Sequence, residues 1–343
     1  VEDGMTPDMV VSGAPIKRGG WTPHNYDGSL SHGNVPMKIA LAKSYNIAAV
    51  HLLEQVGIQA GAQMVRRFGI SNPMAPSLPS ALGASEASLL EMTAAYSAFP
   101  NKGVRMTPHL IRKVYSRDGS LLEQYENQST KVTSEYVALT MVQMMRGVTS
   151  GGGTAAGASA GGFPLAGKTG TVNDHTDVWF IGYTPTYVTG VWMGNPLRKE
   201  SLGAGMTGGH GAVPYFNAFM IPFMKNKPRD SFPGVPPMPN DIKALAERNK
   251  REELEKLEDA DLAGKKTGIV FTPGVKVPDE PGMMPPDKVG GDKPGDDTKT
   301  DKPAVVDQPP VQRRPPVQPP AVKPDPPSDK PEGTRRKGKK GDG

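Results

Sequence analysis

An α+β fold followed by a disordered proline-rich tail is predicted, and three observations carry the prediction. From Val1 to about Met224, apolar residues at helical spacing alternate with strand-like runs and short turn-forming stretches. The strand-like runs come in neighbouring pairs at hairpin distance, which points to antiparallel pairing. Beyond Lys225 the composition shifts to Pro, Asp, Lys and Gly, with repeated pairs as in QPPVQRRPPVQPP. Such a segment cannot bury enough apolar surface to offset its ordering entropy. The expected division is residues 1–226 and residues 227–343.

The elements follow in order. VPMKIALAKSYNIAAVHLLEQVG carries apolar residues at helical spacing on both sides of Ser44-Tyr45-Asn46, so the polar triplet is expected to separate two helices. HLIRKVYSRDGSLLEQY reads as two strands around an Arg117-Asp118-Gly119 turn. TSEYVALTMVQMMRGV places Val137, Met141, Met144 and Val148 on one helix face, with Thr133 or Ser134 as the cap. DVWFIGYTPTYVTGVWMGNP gives two β-rich runs joined at Thr184-Pro185, and YFNAFMIPFM a closing helix. In the tail, DIKALAERNKREELEKLEDADLA is rich in helix formers with opposite charges three and four apart, so residues 241–263 are expected to form an exposed helix.

Composition excludes several classes of function. With no cysteine there is no disulfide, cysteine nucleophile or thiolate metal site. The formal charge of +5 owes much to the terminal RRKGKKGDG, a solvated tail rather than a nucleic-acid surface, and no nucleic-acid partner is expected. No metal or cofactor is called for. The chain lacks an apolar stretch of the ~18 residues needed to span a membrane, and its opening residues resemble mid-domain sequence, so it is expected to be a fragment or processed product.

GGFPLAGKTGTVNDHTDVWF contains two overlapping motifs. Gly162 to Thr169 fits the P-loop, but a P-loop follows a buried strand and opens a helix, and neither neighbour is present. GASAG, Gly157 to Gly161, fits a nucleophile elbow around Ser159, yet it lies in small residues that anchor neither strand nor helix. A second K-T-G at Lys266-Thr267-Gly268 leads into proline-rich sequence with no sheet to join. The K-T-G at Lys168 differs because FPLAGKTGT runs straight into a partner strand. On such an edge Lys168 and the Thr169 hydroxyl can bind a carboxylate, and Gly170 lets an extended peptide approach. The Thr171 N–H is then free to face an acyl oxygen. Ser44 can relay a proton and Asn46 can hold a peptide group.

Together these elements resemble the transpeptidase domain of class A penicillin-binding proteins. ALAKSYNIAAVHLLEQVG is similar to the family's S-x-N region, and LGASEASLLEMTAAYSAFPNKGVRMTPHLI to the helical segment before its hairpin. GKTGTVNDHTDVWFIGYTPTYVTGVWMGNP is similar to its K-T-G strand and sheet, and TGGHGAVPYFNAFM to its closing helix. The resemblance covers roughly Val1 to Met224.

The resemblance implies a β-lactamase/D,D-peptidase-like antiparallel sheet flanked by helices, with the N-terminal part missing. It implies catalytic roles for Ser44, Asn46 and Lys168, substrate contacts for Thr169, Gly170 and Thr171, and peptidoglycan stem peptides and β-lactams as ligands. It also implies a location at the periplasmic face of the bacterial inner membrane, through an anchor outside this sequence. The family's acylated serine stands in S-x-x-K, and no serine here has Lys three positions on. Nucleophile and base are therefore expected before Val1, and the chain alone is expected to be inactive. It is also expected to fold poorly, with Val178, Phe180, Val191 and Met141 left without partners. Two other readings stay open: a serine β-lactamase, for which no E-x-x-L-N-like deacylation element is found, or D,D-carboxypeptidase of the same superfamily, and an envelope scaffold whose proline-rich tail binds cell-envelope proteins.

Overall fold

A computed structural model describes residues 1–197 and 200–267. Strands β1 (Val10–Val11) and β2 (Val35–Pro36) pair antiparallel and lead into helix α1 (Met37–Lys43). Ser44 breaks the helix by turning left-handed, φ 57°, and α2 (Asn46–Val56) starts two residues later, followed by α3 (Ile58–Arg67). The polar triplet thus separates two helices, as its sequence predicts. Helix α4 (Leu89–Tyr96) begins at a capping box in which Ser88 and Glu91 satisfy each other's exposed donors.

Strand β3 (Val104–Met106) pairs with β6 (Ser129–Lys131), and between them β4 (Lys113–Tyr115) and β5 (Leu121–Gln124) form the expected hairpin. Helix α5 (Glu135–Thr149) starts at Ser134, whose Oγ accepts the Val137 N–H at 3.2 Å. Then come β7 (Ala166–Thr171), β8 (Asp177–Tyr183) and β9 (Val188–Gly194), paired antiparallel in that order. A π-helical turn, Gly208–Ala212, runs into α6 (Val213–Met224), and α7 covers Asn240–Thr267.

The three-stranded sheet carries helices on both faces. On one, Tyr183 and Ala166 pack against Leu139, Val142 and Met145 of α5, with Tyr96 and Phe99 beside them. On the other, Phe180 meets Phe216 edge-on at 4.8 Å between ring centres, and Met220 and Met224 extend the same cluster. This second layer corrects the expectation that four apolar side chains lie uncovered. Val178 and Phe180 are fully buried, Val191 packs against the Phe180 cluster, and Met141 packs between the α1 and Tyr183 clusters. The physical reason is that α6 and the π-helical turn fold back over β8, while Met141 is covered by α1 on the opposite face.

Contacts continue past residue 226, where the composition changes. Phe232 packs on Tyr183, and Met238 and Ile242 pack with Tyr136 and Val137 of α5. Further along α7, the Asn249 amide donates to the Asp3 carbonyl at 2.7 Å. The helix expected over residues 241–263 is present, but its first turns lie against the domain. Among the described residues no helix is long and apolar enough to cross a membrane. The expectations for the proline-rich segment, and for the second K-T-G where it reaches Gly268, lie outside the described residues.

Candidate active site

One chain reversal and one strand edge build the site. At the end of α1 the Ser44 N–H still reaches the Leu41 carbonyl at 3.2 Å, and its left-handed backbone swings the chain into α2. A non-glycine residue in that region is held against about 1–2 kcal/mol of strain. Opposite lies β7, whose only partner strand among the described residues is β8, so its other edge is open.

Lys168 and Ser44, 124 residues apart in sequence, meet here. The Lys168 Nζ donates to Ser44 Oγ at 2.7 Å and to the Thr169 carbonyl at 2.9 Å. Desolvation of the ammonium brings the Lys168 pKa down to about 8, close to the working range of a proton donor.

Strand alternation separates the K-T-G side chains. Lys168 stands opposite Ile181 and Thr169 opposite Phe180, so Lys168 points to the α1 and α5 face and Thr169 to the α6 face. There the Thr169 hydroxyl shares a 2.6 Å hydrogen bond with Thr154, and Thr171 Oγ1 accepts the Gly208 N–H at 3.0 Å. Val172 donates its N–H to Asp177 across the β7–β8 ladder. The alternation of an antiparallel pair therefore turns the N–H groups of Thr169 and Thr171 to the open edge. Gly170 lies flat on β8, where a Cβ would stand 3.1 Å from the Trp179 Cβ.

Asn46 closes the other side. Its amide donates to the His24 carbonyl at 2.8 Å, and the neighbouring Tyr45 ring stacks on His32 with centroids 4.2 Å apart. Tyr26, from the same loop, meets His175 beyond the end of β7. The loop of residues 24–34 therefore borders both the triplet and the strand.

Of the six residues singled out in the sequence, Lys168 and Ser44 meet directly; Thr169, Gly170 and Thr171 follow Lys168 along β7, and Asn46 opens α2 two residues after Ser44. Sequence reasoning missed Thr154, Gly208 and the loop at His24 to Gly33. Their signals, a glycine run ending in Thr154 and an Asn-Tyr-Asp-Gly turn, are too common to identify alone.

The motifs set aside are also placed. The Ser159 N–H is held by Asn217 Oδ1 at 2.8 Å in a turn with no strand leading into it. Lys168 sits inside a strand, not at the helix start a P-loop requires.

Known proteins share the family and the fold. The family model for the penicillin binding protein transpeptidase domain matches residues 1–220. Penicillin-binding protein 1A of Aquifex aeolicus (strain VF5) is 38% identical over 218 residues, covering 64% of this chain and 30% of that protein. The protein of the same name from Neisseria meningitidis serogroup B (strain ATCC BAA-335 / MC58) is 36% identical over 237 residues, covering 65% and 29%. The chain thus spans about 30% of the length of these relatives. Penicillin-binding protein 1A from Haemophilus influenzae superposes with a TM-score of 0.64 at 24% identity, over 68% of this chain and 42% of that one. The PonA1 protein from Mycobacterium tuberculosis, in complex with penicillin V, superposes at 0.61 with 25% identity, over 69% and 71%. With the family model matching most of the chain and the antiparallel sheet and its flanking helices shared, this protein belongs to the penicillin-binding protein transpeptidase domain family.

Proposed function

We propose that this chain is the K-T-G-bearing part of a serine D,D-transpeptidase that cross-links peptidoglycan stem peptides at the periplasmic face of the inner membrane, and that its nucleophile comes from an S-x-x-K motif outside these 343 residues. The observation that carries the reading is the 2.7 Å contact between Lys168 Nζ and Ser44 Oγ beside an open strand edge. A donor peptide lying along β7 extends the sheet, with its amide on Asn46 and its terminal carboxylate at the Thr169 hydroxyl. The incoming serine hydroxyl passes its proton to the lysine of its own S-x-x-K motif and attacks the penultimate carbonyl, whose oxygen takes up negative charge facing the Thr171 N–H. As the C–N bond breaks, Ser44 gives its proton to the leaving amine and takes one back from the Lys168 ammonium. A β-lactam can take the same place because its ring amide stands for the scissile bond, its carboxylate for the terminal carboxylate and its acylamino group for the amide held by Asn46.

Mass spectrometry of the longer native polypeptide after penicillin treatment tests the proposal. A lasting adduct on one serine is expected. Rapid turnover of the adduct would give the site to a β-lactamase, and no adduct would leave only a scaffold.

A further inference from the structure

Helix α2 begins without a cap of its own. Its N-cap residue is Tyr45, which makes no side-chain bond to the first turn. A helix normally satisfies one of its first N–H groups with a Ser, Thr, Asp or Asn side chain at that position. Here Asn25 supplies the missing acceptor from 22 residues away: its Oδ1 takes the Ile47 N–H at 3.3 Å.

Asn25 is built into place for this role. It is 5% exposed. Its amide nitrogen donates to Ser29 Oγ at 3.2 Å and to the Ser29 carbonyl at 3.4 Å. Its own N–H reaches the Ser29 carbonyl and its carbonyl accepts the Gly28 N–H, both at 2.9 Å, closing a turn with Gly28 at φ 80°. The residue before it, His24, offers the carbonyl that accepts the Asn46 amide. One rigid turn therefore fixes both the backbone that follows Asn46 and the side chain of Asn46 itself.

We propose that Asn25 is a positioning residue for the S-x-N amide, setting the direction of the Asn46 side chain through the α2 cap and the His24 carbonyl. This rests on the reading of Asn46 as the group that holds the donor peptide.

The test compares two penicillins on the longer parent polypeptide. Benzylpenicillin carries the acylamino carbonyl that Asn46 would hold, whereas 6-aminopenicillanic acid has a free amine there. Asn25→Ala should slow acylation by benzylpenicillin by about tenfold or more, the size of one lost directional hydrogen bond, and change 6-aminopenicillanic acid by less than about twofold. Asn25→Asp keeps an acceptor for the Ile47 N–H but loses the donor to the Ser29 carbonyl, so it should recover part of the benzylpenicillin rate. If Asn25→Ala does not fold, Ser29→Ala loosens the same turn more gently and should lower the ratio of the two rates by about threefold. An equal fall with both penicillins, or no recovery in Asn25→Asp, would overturn the proposal and make Asn25 a structural residue only. Absence of acylation in the unmutated parent would overturn the transpeptidase reading instead.

Discussion

Gly208→Ala probes how the π-helical turn holds the K-T-G strand. A Cβ on Gly208 would stand 2.4 Å from the Trp179 carbonyl oxygen, 2.8 Å from that of Gly170 and 2.9 Å from the Thr169 Cβ. Two of these atoms are backbone of paired strands, which cannot swing aside as a flexible side chain would. The turn must retreat by roughly 1 Å, which costs about 1–3 kcal/mol as overpacking. Losing the Gly208 N–H to Thr171 contact adds about 1 kcal/mol. At about 2–4 °C per kcal/mol for a domain of this size, the total of about 2–4 kcal/mol lowers Tm by about 4–16 °C. The assay is thermal unfolding of the longer protein proposed above, with penicillin labelling alongside. Gly151→Ala is the control, since a Cβ there meets nothing within 4 Å. Equal Tm values for the two variants, with labelling unchanged in both, would refute the argument.

Other outcomes follow from the same structure. Because burial brings Lys168 to about 8, penicillin acylation should decline as pH rises through about 8, and Lys168→Arg, which keeps its charge, should lose that limb. For stability the sign is opposite. From about 8 to the ordinary lysine value the unfolded chain holds a proton the folded one lacks, so this group makes the domain more stable as pH rises through that window. Ile242→Ala removes a buried side chain at the start of α7 and should destabilise the domain by about 2–4 kcal/mol in a denaturant titration. An unchanged midpoint would mean that α7 does not pack there. Ser159→Ala should leave acylation within about twofold, because that serine lies in a turn held by Asn217 and touches neither Ser44 nor Lys168.

What the sequence revealed was local. The Ser-Tyr-Asn break, the Asp-Gly hairpin, the cap at Ser134 and the paired strands of the K-T-G sheet each depend on neighbours within a few residues, and each is where periodicity and turn chemistry put it. The six candidate site residues could be named from the sequence because two short motifs carry them. Distant contacts were not. Asn25 caps a helix across 22 residues and Thr154 meets Thr169 across the sheet face, and neither leaves a periodic trace. The cover over Val178 and Phe180 was missed because it depends on α6 folding back, which composition cannot show. Phe232, Met238 and Ile242 are isolated apolar residues in a polar, proline-rich context, so their packing against the domain was equally invisible.

The account stands on Lys168 and Ser44 acting as one proton-carrying pair, and the rate of penicillin acylation in a Lys168→Ala variant of the parent protein measures that most directly. Removing the ammonium takes away a charge-assisted contact worth about 2–3 kcal/mol, a fall of about 30- to 150-fold in the second-order rate constant. Ser44→Ala should produce a similar loss, and the double variant little more than either single one, because the two side chains act through one hydrogen bond. Acylation unchanged in Lys168→Ala, or losses that simply multiply in the double variant, would contradict the account.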